Sequence, residues 1–217
     1  MKLLIKLIST VLLLAMSITA LAYFFWYKTK FVPKKNKASF TIPKKEIDKT
    51  VAARLHLKSA GITDYIRKHH YNSTYCFMID MKMESGKKRF FVYNLDKDSI
   101  ELAGLVAHGS GDDHSTEIKF SNQPGSLCSS LGKYKICKSY FGKFGLAYKL
   151  YGLDKTNSNA LNRFVVLHSH SCVPADETSP FPICESWGCP TVAPTFLNEL
   201  KKYINRSDKP ILLNMYY

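Results

Sequence analysis

From Tyr75 to the C-terminus the apolar residues come in short runs, each cut off by a cluster of turn-forming residues. YCFMIDMKM, KRFFVYNL and SIELAGLVAH follow one another across ESGK and DKD. TEIKF, GKYKIC and GLAYKLYGL come next, with glycine at several joints, then RFVVLHSH and, at the end, PILLNMYY. Runs this short, rich in β-branched and aromatic residues, read as strands. Two segments break the pattern. Glu46–His70 reads as a helix because Val51, Leu55, Ile62, Tyr65 and Ile66 fall roughly on one face, with Gly61 a candidate break. Ala193–Ile204 reads as a second helix, its stripe made of Phe196, Leu197, Leu200, Tyr203 and Ile204. The expected fold is therefore mainly β, with one helix ahead of the strands and one near the end. With 46% hydrophobic residues in 217, the chain can bury one sizeable core.

The N-terminal quarter belongs to none of this. Leu7–Tyr27 carries no charge, is flanked by Lys2 and Lys6, and is long enough to span a bilayer. Tyr23, Phe24, Phe25, Trp26 and Tyr27 form an aromatic belt at its far end. Ala20-Leu21-Ala22 offers a signal-peptidase site, but the bulky aromatics after it favour an uncleaved anchor. A basic linker follows, with Pro33 and Pro43. The expected division is an anchor at 1–27, a linker at 28–45, a helical extension at 46–74 and a β-rich domain at 75–217. Nine of the 31 Lys and Arg precede residue 46, and no acid does, so the net charge of +14 is mostly local. From Glu46 onward the net charge is only +5. A cationic tether suits anionic lipid headgroups. Nucleic-acid binding would need a basic patch on the folded domain, interleaved with aromatics, and no such cluster occurs.

The residues with reactive side chains gather late in the chain. In RFVVLHSH alternate side chains share a face, so His168 and His170 lie together near the rim of a strand. In ESWGCPTV, Gly188 and Pro190 force a bend around Cys189 and expose it. A histidine near an exposed cysteine is the minimum for a thiolate nucleophile, with the imidazole as base or ion-pair partner. The N–H groups of Gly188 and Cys189 are candidates for stabilising an oxyanion. Two other readings stay open. Cysteines within or near strands, such as Cys76, Cys128 and Cys137, are usually small core hydrophobes. Zinc is a second candidate chemistry, through His168, His170, Cys172, Cys184 and Cys189, or through His108, Asp112, Asp113 and His114, although neither spacing matches a strong zinc pattern. Cys172 and Cys184 enclose a short Pro-rich loop and are the best candidate disulfide pair, but sequence alone does not set connectivity.

Taken in order, FMIDM, FFVYNL, LVAHGSG (105–111), FSNQPGSLCSSLGKYKI (120–136), GKFGLAYKLYGLD (142–154), VVLHSH (165–170) and ESWGCPTV (185–192) resemble the murein L,D-transpeptidase catalytic domains, the YkuD-like family, in a branch with SWGCP in place of Ser/Thr-His-Gly-Cys. The resemblance covers roughly residues 75–217. It implies a β-sandwich or curved mixed sheet with a helix before it and one after the cysteine turn. It implies a cofactor-free, metal-free cysteine acyltransferase that works on peptidoglycan stem peptides in the cell envelope or periplasm. Cys189 would be the nucleophile, His168 the base, Gly188 part of the oxyanion region and Ser186 the motif hydroxyl. His170, Trp187 and His108 would line the substrate cleft. The attacked bond would lie between the third stem residue and the D-Ala after it, with a second stem's amine as acceptor. Water as acceptor would make an L,D-carboxypeptidase instead, and loss of activity would leave a tethered wall-binding module. Thiol attack on a β-lactam is similar chemistry, so acylation by carbapenems is also implied. Trp187 departs from the motif's usual His, and Pro190-Thr191 from its usual polar continuation. An envelope location also runs against Lys28, Lys30, Lys34, Lys35 and Lys37, which by the positive-inside tendency favour a cytoplasmic C-terminal domain.

Overall fold

The computed structural model describes residues 2–23, 25, 48–112 and 117–217. The chain falls into two compact units, Met1–Lys37 and Ala38–Tyr217. In the first, helix α1 spans Lys2–Ala22. Among the described residues no helix is long and apolar enough to cross a membrane. The expected span Leu7–Tyr27 runs past α1, and Phe24, Trp26 and Tyr27 lie outside the described residues, as does the linker at 28–45.

The second unit opens with α2, Lys49–Lys68. Asp48 caps it by accepting the Thr50 N–H, and Arg67 and Lys68 in the last turn complement the helix dipole. Val51, Leu55, Ser59, Ile62 and Ile66 form its buried stripe. Gly61 does not split it. It sits on the exposed side with nothing within 4 Å of the position a Cβ would take. Gly61→Ala should therefore stabilise the protein by about 0.5–1 kcal/mol by reducing the backbone entropy lost on folding. A urea titration checks this, and a neutral result would mean that the helix frays there.

Among the described residues nine strands follow: β1 Tyr75–Asp80, β2 Phe90–Asn94, β3 Ser99–Gly104, β4 Val106–Ala107, β5 Gly132–Gly142, β6 Gly145–Gly152, β7 Val166–Ser169, β8 Thr191–Val192 and β9 Leu212–Tyr216. Helix α3, Pro194–Arg206, lies between β8 and β9 and starts on Pro194, whose missing N–H is no loss at a helix start. The expected mainly β fold with a mixed sheet is what forms. All nine strands belong to one sheet, ordered β3-β2-β1-β9-β5-β6-β7-β8-β4, with parallel pairs at β1/β9 and β7/β8. β3 and β4 are the outermost strands on opposite sides, yet Leu105 alone separates them in the chain. The two edges must therefore meet, and the sheet curls almost into a barrel.

Alternation within the central strands feeds two cores. Phe77 and Ile79 of β1, Phe90 and Val92 of β2, and Leu213 and Met215 of β9 join Phe196, Leu197 and Leu200 of α3 in the larger one. The intervening Cys76, Met78, Phe91, Tyr93, Leu212 and Tyr216 meet the stripe of α2 in the other. Both faces of β1, β2 and β9 are covered, which is why these segments read as nearly unbroken apolar runs. Three sequence expectations differ, the first being that SIELAGLVAH forms two strands, β3 and β4, parted at Leu105. RFVVLHSH is strand only over Val166–Ser169. TEIKF forms no strand in its described part: from Glu117 it contributes one bridge, Phe120 to Ser129. Its exposed, charged residues have no second sheet face to cover.

Candidate active site

Pairing of β7 with β8 decides which reactive groups meet. The two run parallel, with His168 opposite Thr191 and Ser169 opposite Val192. Partnered residues in a parallel pair share a face, so the Thr191 side chain stands beside the imidazole. Cys189, two residues before Thr191, comes beside Val166, two residues before His168. The Val166 N–H donates to Cys189 Sγ at 3.4 Å, and the thiol donates weakly to the Phe164 carbonyl at 3.8 Å.

The turn that holds Cys189 is built by Ser186. Its hydroxyl donates to the Cys189 carbonyl at 2.7 Å and accepts the Gly188 N–H at 3.2 Å. Gly188 has φ of +106°, and a Cβ there would stand 2.7 Å from the Cys128 carbonyl oxygen, so only glycine fits. Of the two N–H groups expected to face an oxyanion, the Gly188 N–H is thus committed to Ser186. The Cys189 N–H has no partner among the described residues. Ser186 is itself held by the segment before it. Its N–H donates to the His108 carbonyl at 2.8 Å, and its carbonyl accepts the Ser110 N–H at 2.9 Å. Trp187, beside Gly188, is 77% exposed.

His168 is buried, with Phe144 from the β5–β6 hairpin stacked on its ring at 4.4 Å between centroids. Nδ1 lies 3.1 Å from the Ser169 carbonyl, which can only accept, so Nδ1 carries the proton and Nε2 is the basic nitrogen. Nε2 accepts from the Thr191 hydroxyl at 3.0 Å. No hydrogen bond joins His168 to Cys189 among the described residues. Burial pushes the His168 pKa down, the Ser169 carbonyl partly offsets this, and His170 adds to it. Burial likewise pushes the Cys189 thiol up, against the Val166 N–H and Arg163, which lower it. The resting site therefore holds a neutral thiol and a neutral imidazole, in place of a preformed ion pair.

His170 lies past the end of β7, exposed, with Nδ1 accepting the Cys172 N–H at 3.2 Å. It braces the loop after the strand, and no hydrogen bond joins it to Cys189 among the described residues. His108 is buried at the other end of the site's scaffold. Its Nδ1 accepts from Arg89, itself fully buried, at 2.9 Å, and Nε2 lies 3.7 Å from Glu185. Burial, and secondly the Arg89 charge, lower the His108 pKa to about 4. The sign of the consequence is definite. Between the ordinary 6.5 and about 4 the unfolded chain takes up a proton that the folded chain refuses. Stability present above pH 6.5 should therefore be lost as pH falls toward 4. Denaturant unfolding at pH 7 and at pH 4.5 checks this. His108→Gln, which can still accept from Arg89, should lose less between the two, and equal losses would clear His108 of the effect.

Cys172 and Cys184 form a disulfide that closes the loop between His168 and the cysteine turn. The zinc reading that used them is thereby overturned, because their sulfurs are bonded to each other. Among the described residues no group of three or more His, Cys, Asp or Glu is placed to hold a metal, and Asp113 and His114 lie outside the described residues. Sequence reasoning missed Thr191 as the partner of His168. It also missed Arg163 and Phe164, which reach the cysteine turn from the residues just before β7. Pairing of β7 with β8 reveals Thr191, and the packing of loop 121–130 on Gly188 brings in Arg163.

Residues 46–212 match the model of the L,D-transpeptidase catalytic domain family called YkuD_2. No curated protein matches the chain. Among solved structures, the chain is similar to the helical cell shape determining protein Pgp2 from Campylobacter jejuni. The identity is 11% and the TM-score 0.41, over 65% of this chain and 47% of that one. It is also similar to an L,D-transpeptidase from Mycobacterium smegmatis at 10% identity and a TM-score of 0.38, over 66% and 59% of the two chains. A mutant Enterococcus faecium L,D-transpeptidase gives 11% and 0.40, over 66% and 50%. The chain spans about half the length of the first of these structures.

Proposed function

The chain belongs to the L,D-transpeptidase catalytic-domain family, and from that premise we propose that it is a cysteine acyltransferase acting on the peptide stems of peptidoglycan. The observation that carries this reading is the Cys189 turn. Ser186 pins it, and it is set on the parallel β7/β8 pair within two residues of His168 and Thr191.

In this reading His168 Nε2 is the general base. It must first be released by Thr191, whose hydroxyl has a second acceptor in the Cys189 carbonyl at 3.3 Å. Turning to that carbonyl frees Nε2 without leaving the hydroxyl unpaired. The thiol proton passes to Nε2 as sulfur attacks the carbonyl carbon of the bond before D-Ala. The Cys189 N–H faces the new oxyanion. Collapse breaks the C–N bond, the D-Ala amine takes the proton from His168, and a thioester remains on Cys189. A second stem's side-chain amine then attacks the thioester, forms the cross-link and returns the thiol. Trp187, two residues before the thiol, and Phe164, whose carbonyl accepts from that thiol, are both exposed and give the stem an apolar surface to lie on. His108 and His170 act through the scaffold, His108 through the backbone pairing that holds Ser186.

The remainder of the chain fits a tethered enzyme. Ile8, Val11, Leu12, Leu13, Leu14, Met16 and Ile18 of α1 are all exposed, which suits a membrane-directing segment within 1–27. The linker at 28–45, the helical extension at 46–74 and the catalytic domain at 75–217 would then stand outside the inner membrane, where a disulfide persists. Incubation of the purified protein with a tetrapeptide-stem muropeptide tests the reaction by product mass. A dimer lacking one D-Ala establishes the transpeptidase, and a tripeptide monomer establishes the carboxypeptidase. Neither product, with Cys189 unmodified, reduces the protein to a wall-binding module.

A further inference from the structure

Arg163 sits in the turn that leads into β7, and its guanidinium is planted with unusual completeness. Nη1 donates to the Ser121 carbonyl at 2.8 Å and lies 3.3 Å from Ser130 Oγ. Nη2 donates to the Cys128 carbonyl at 2.5 Å and lies 3.4 Å from Ser126 Oγ. All four partners are neutral oxygens of one loop, 121–130. No carboxylate within ion-pair distance of Arg163 occurs among the described residues. The guanidinium is a permanent cation, and holding one half-buried with no counter-ion is costly.

The loop that fixes it is pressed onto the cysteine turn. Ser129 Oγ donates to the Gly188 carbonyl at 3.3 Å, and the Cys128 carbonyl lies 2.7 Å from where a Gly188 Cβ would stand. Arg163 Nη2 is 3.2 Å from that same point. The cation thus rests against the residue before Cys189, and Gly188 is the residue that lets it approach. On the other flank, the ring nitrogen of His168 that could serve the thiol is taken by Thr191.

We propose that Arg163 is the fixed cation of the nucleophile, a positioning residue planted by loop 121–130 so that its charge stabilises the anionic sulfur of Cys189 when the thiol gives up its proton. A guanidinium with no carboxylate beside it among the described residues then has a use: the anion it answers is the one the reaction makes. Among the described residues the ionisable groups facing Cys189 are few. Besides Arg163 there is His168 on β7, shielded by Thr191. There is also Tyr134 on β5, buried, with its hydroxyl bonded to Ser130 and its pKa pushed up to about 12, so it is neutral throughout.

This rests on Cys189 being the reactive thiol but not on the identity of the wall substrate, so the test reads the thiol directly. Iodoacetamide alkylates the thiolate: an S–C bond forms, iodide leaves and the thiol proton goes to buffer. The rate of carbamidomethylation at the Cys189 peptide is followed by mass from pH 5 to pH 10 on the full chain. Arg163→Gln should move the midpoint up by about one unit, a loss of roughly tenfold in rate at neutral pH. Arg163→Lys, which keeps the charge but not the fork of contacts, should recover most of that shift. A midpoint unchanged in folded Arg163→Gln overturns the proposal, and so does an equal shift in both variants, which would mark a purely structural clamp. His168→Ala decides the matter even if neither arginine variant folds. The proposal requires its Cys189 midpoint to stay within about 0.3 units of wild type, whereas a rise of a full unit assigns the cation to His168 instead. Failure of muropeptide turnover with these midpoints intact would fall on the substrate reading alone.

Discussion

Cys189→Ser should lose acylation by on the order of 10⁴-fold or more while folding normally. The expectation rests on how little in this site could activate a hydroxyl. A serine hydroxyl is a far weaker acid than a thiol, so it depends on its base completely. Here the base is a buried imidazole whose pKa is lowered by that burial, and whose basic nitrogen already accepts from Thr191. The Val166 N–H, which sits 3.4 Å from sulfur, would face a shorter side chain. Cys189 is a half-buried surface-turn residue, so the exchange should cost less than about 1 kcal/mol of stability. The readout is one equivalent of carbapenem mass on the wild-type protein and none on the variant, with the adduct mapped by peptide mass. Acylation of the serine variant, or an adduct on Cys128 or Cys137, would move the nucleophile elsewhere and reopen the binding-module reading.

Arg54→Ala should destabilise the protein by about 3–5 kcal/mol, the largest stability loss expected from one surface-reachable side chain. Asp80 closes β1 with none of its side chain exposed, and its Oδ2 takes the Arg54 Nε at 2.8 Å. Its other oxygen accepts the Lys82 N–H at 3.1 Å. Arg54 is 30% exposed, so it brings its charge in from the solvent side of α2. Removing it takes the hydrogen-bonded ion-pair partner from a carboxylate buried between α2 and the sheet and leaves the buried Arg89 as the charge that still acts on it, and the lost pair carries the cost. Asp80→Asn in the same chain should therefore recover much of the loss, since the amide is neutral and its oxygen can still accept from Lys82. Urea unfolding of the two variants measures both effects. A loss under 1 kcal/mol for Arg54→Ala would mean that water reaches Asp80 once the arginine is gone.

The two helices, the strand-forming runs and the cysteine turn were legible in the chain because their causes are local. The stripe of Val51, Leu55, Ile62 and Ile66 forces an amphipathic helix wherever the chain places it. Gly188 and Pro190 bend the backbone whatever surrounds them. None of these depends on what lies across the molecule. The working arrangement of the site does depend on it. Spacing along the strand placed His168 and His170 together near its rim, but β7 stops at Ser169 and His170 turns to the loop. The oxyanion pair foreseen at Gly188 and Cys189 is halved because Ser186 claims one donor. Thr191 reaches His168 only because β8 pairs parallel to β7. Arg163 reaches the cysteine turn only because loop 121–130 folds onto Gly188. Local sequence determines which backbone shapes are cheap, and so it names the elements and the bend. Which side chains then share a proton or a charge is decided by strand pairing over tens of residues, since electrostatics and hydrogen bonds act through space and not along the chain.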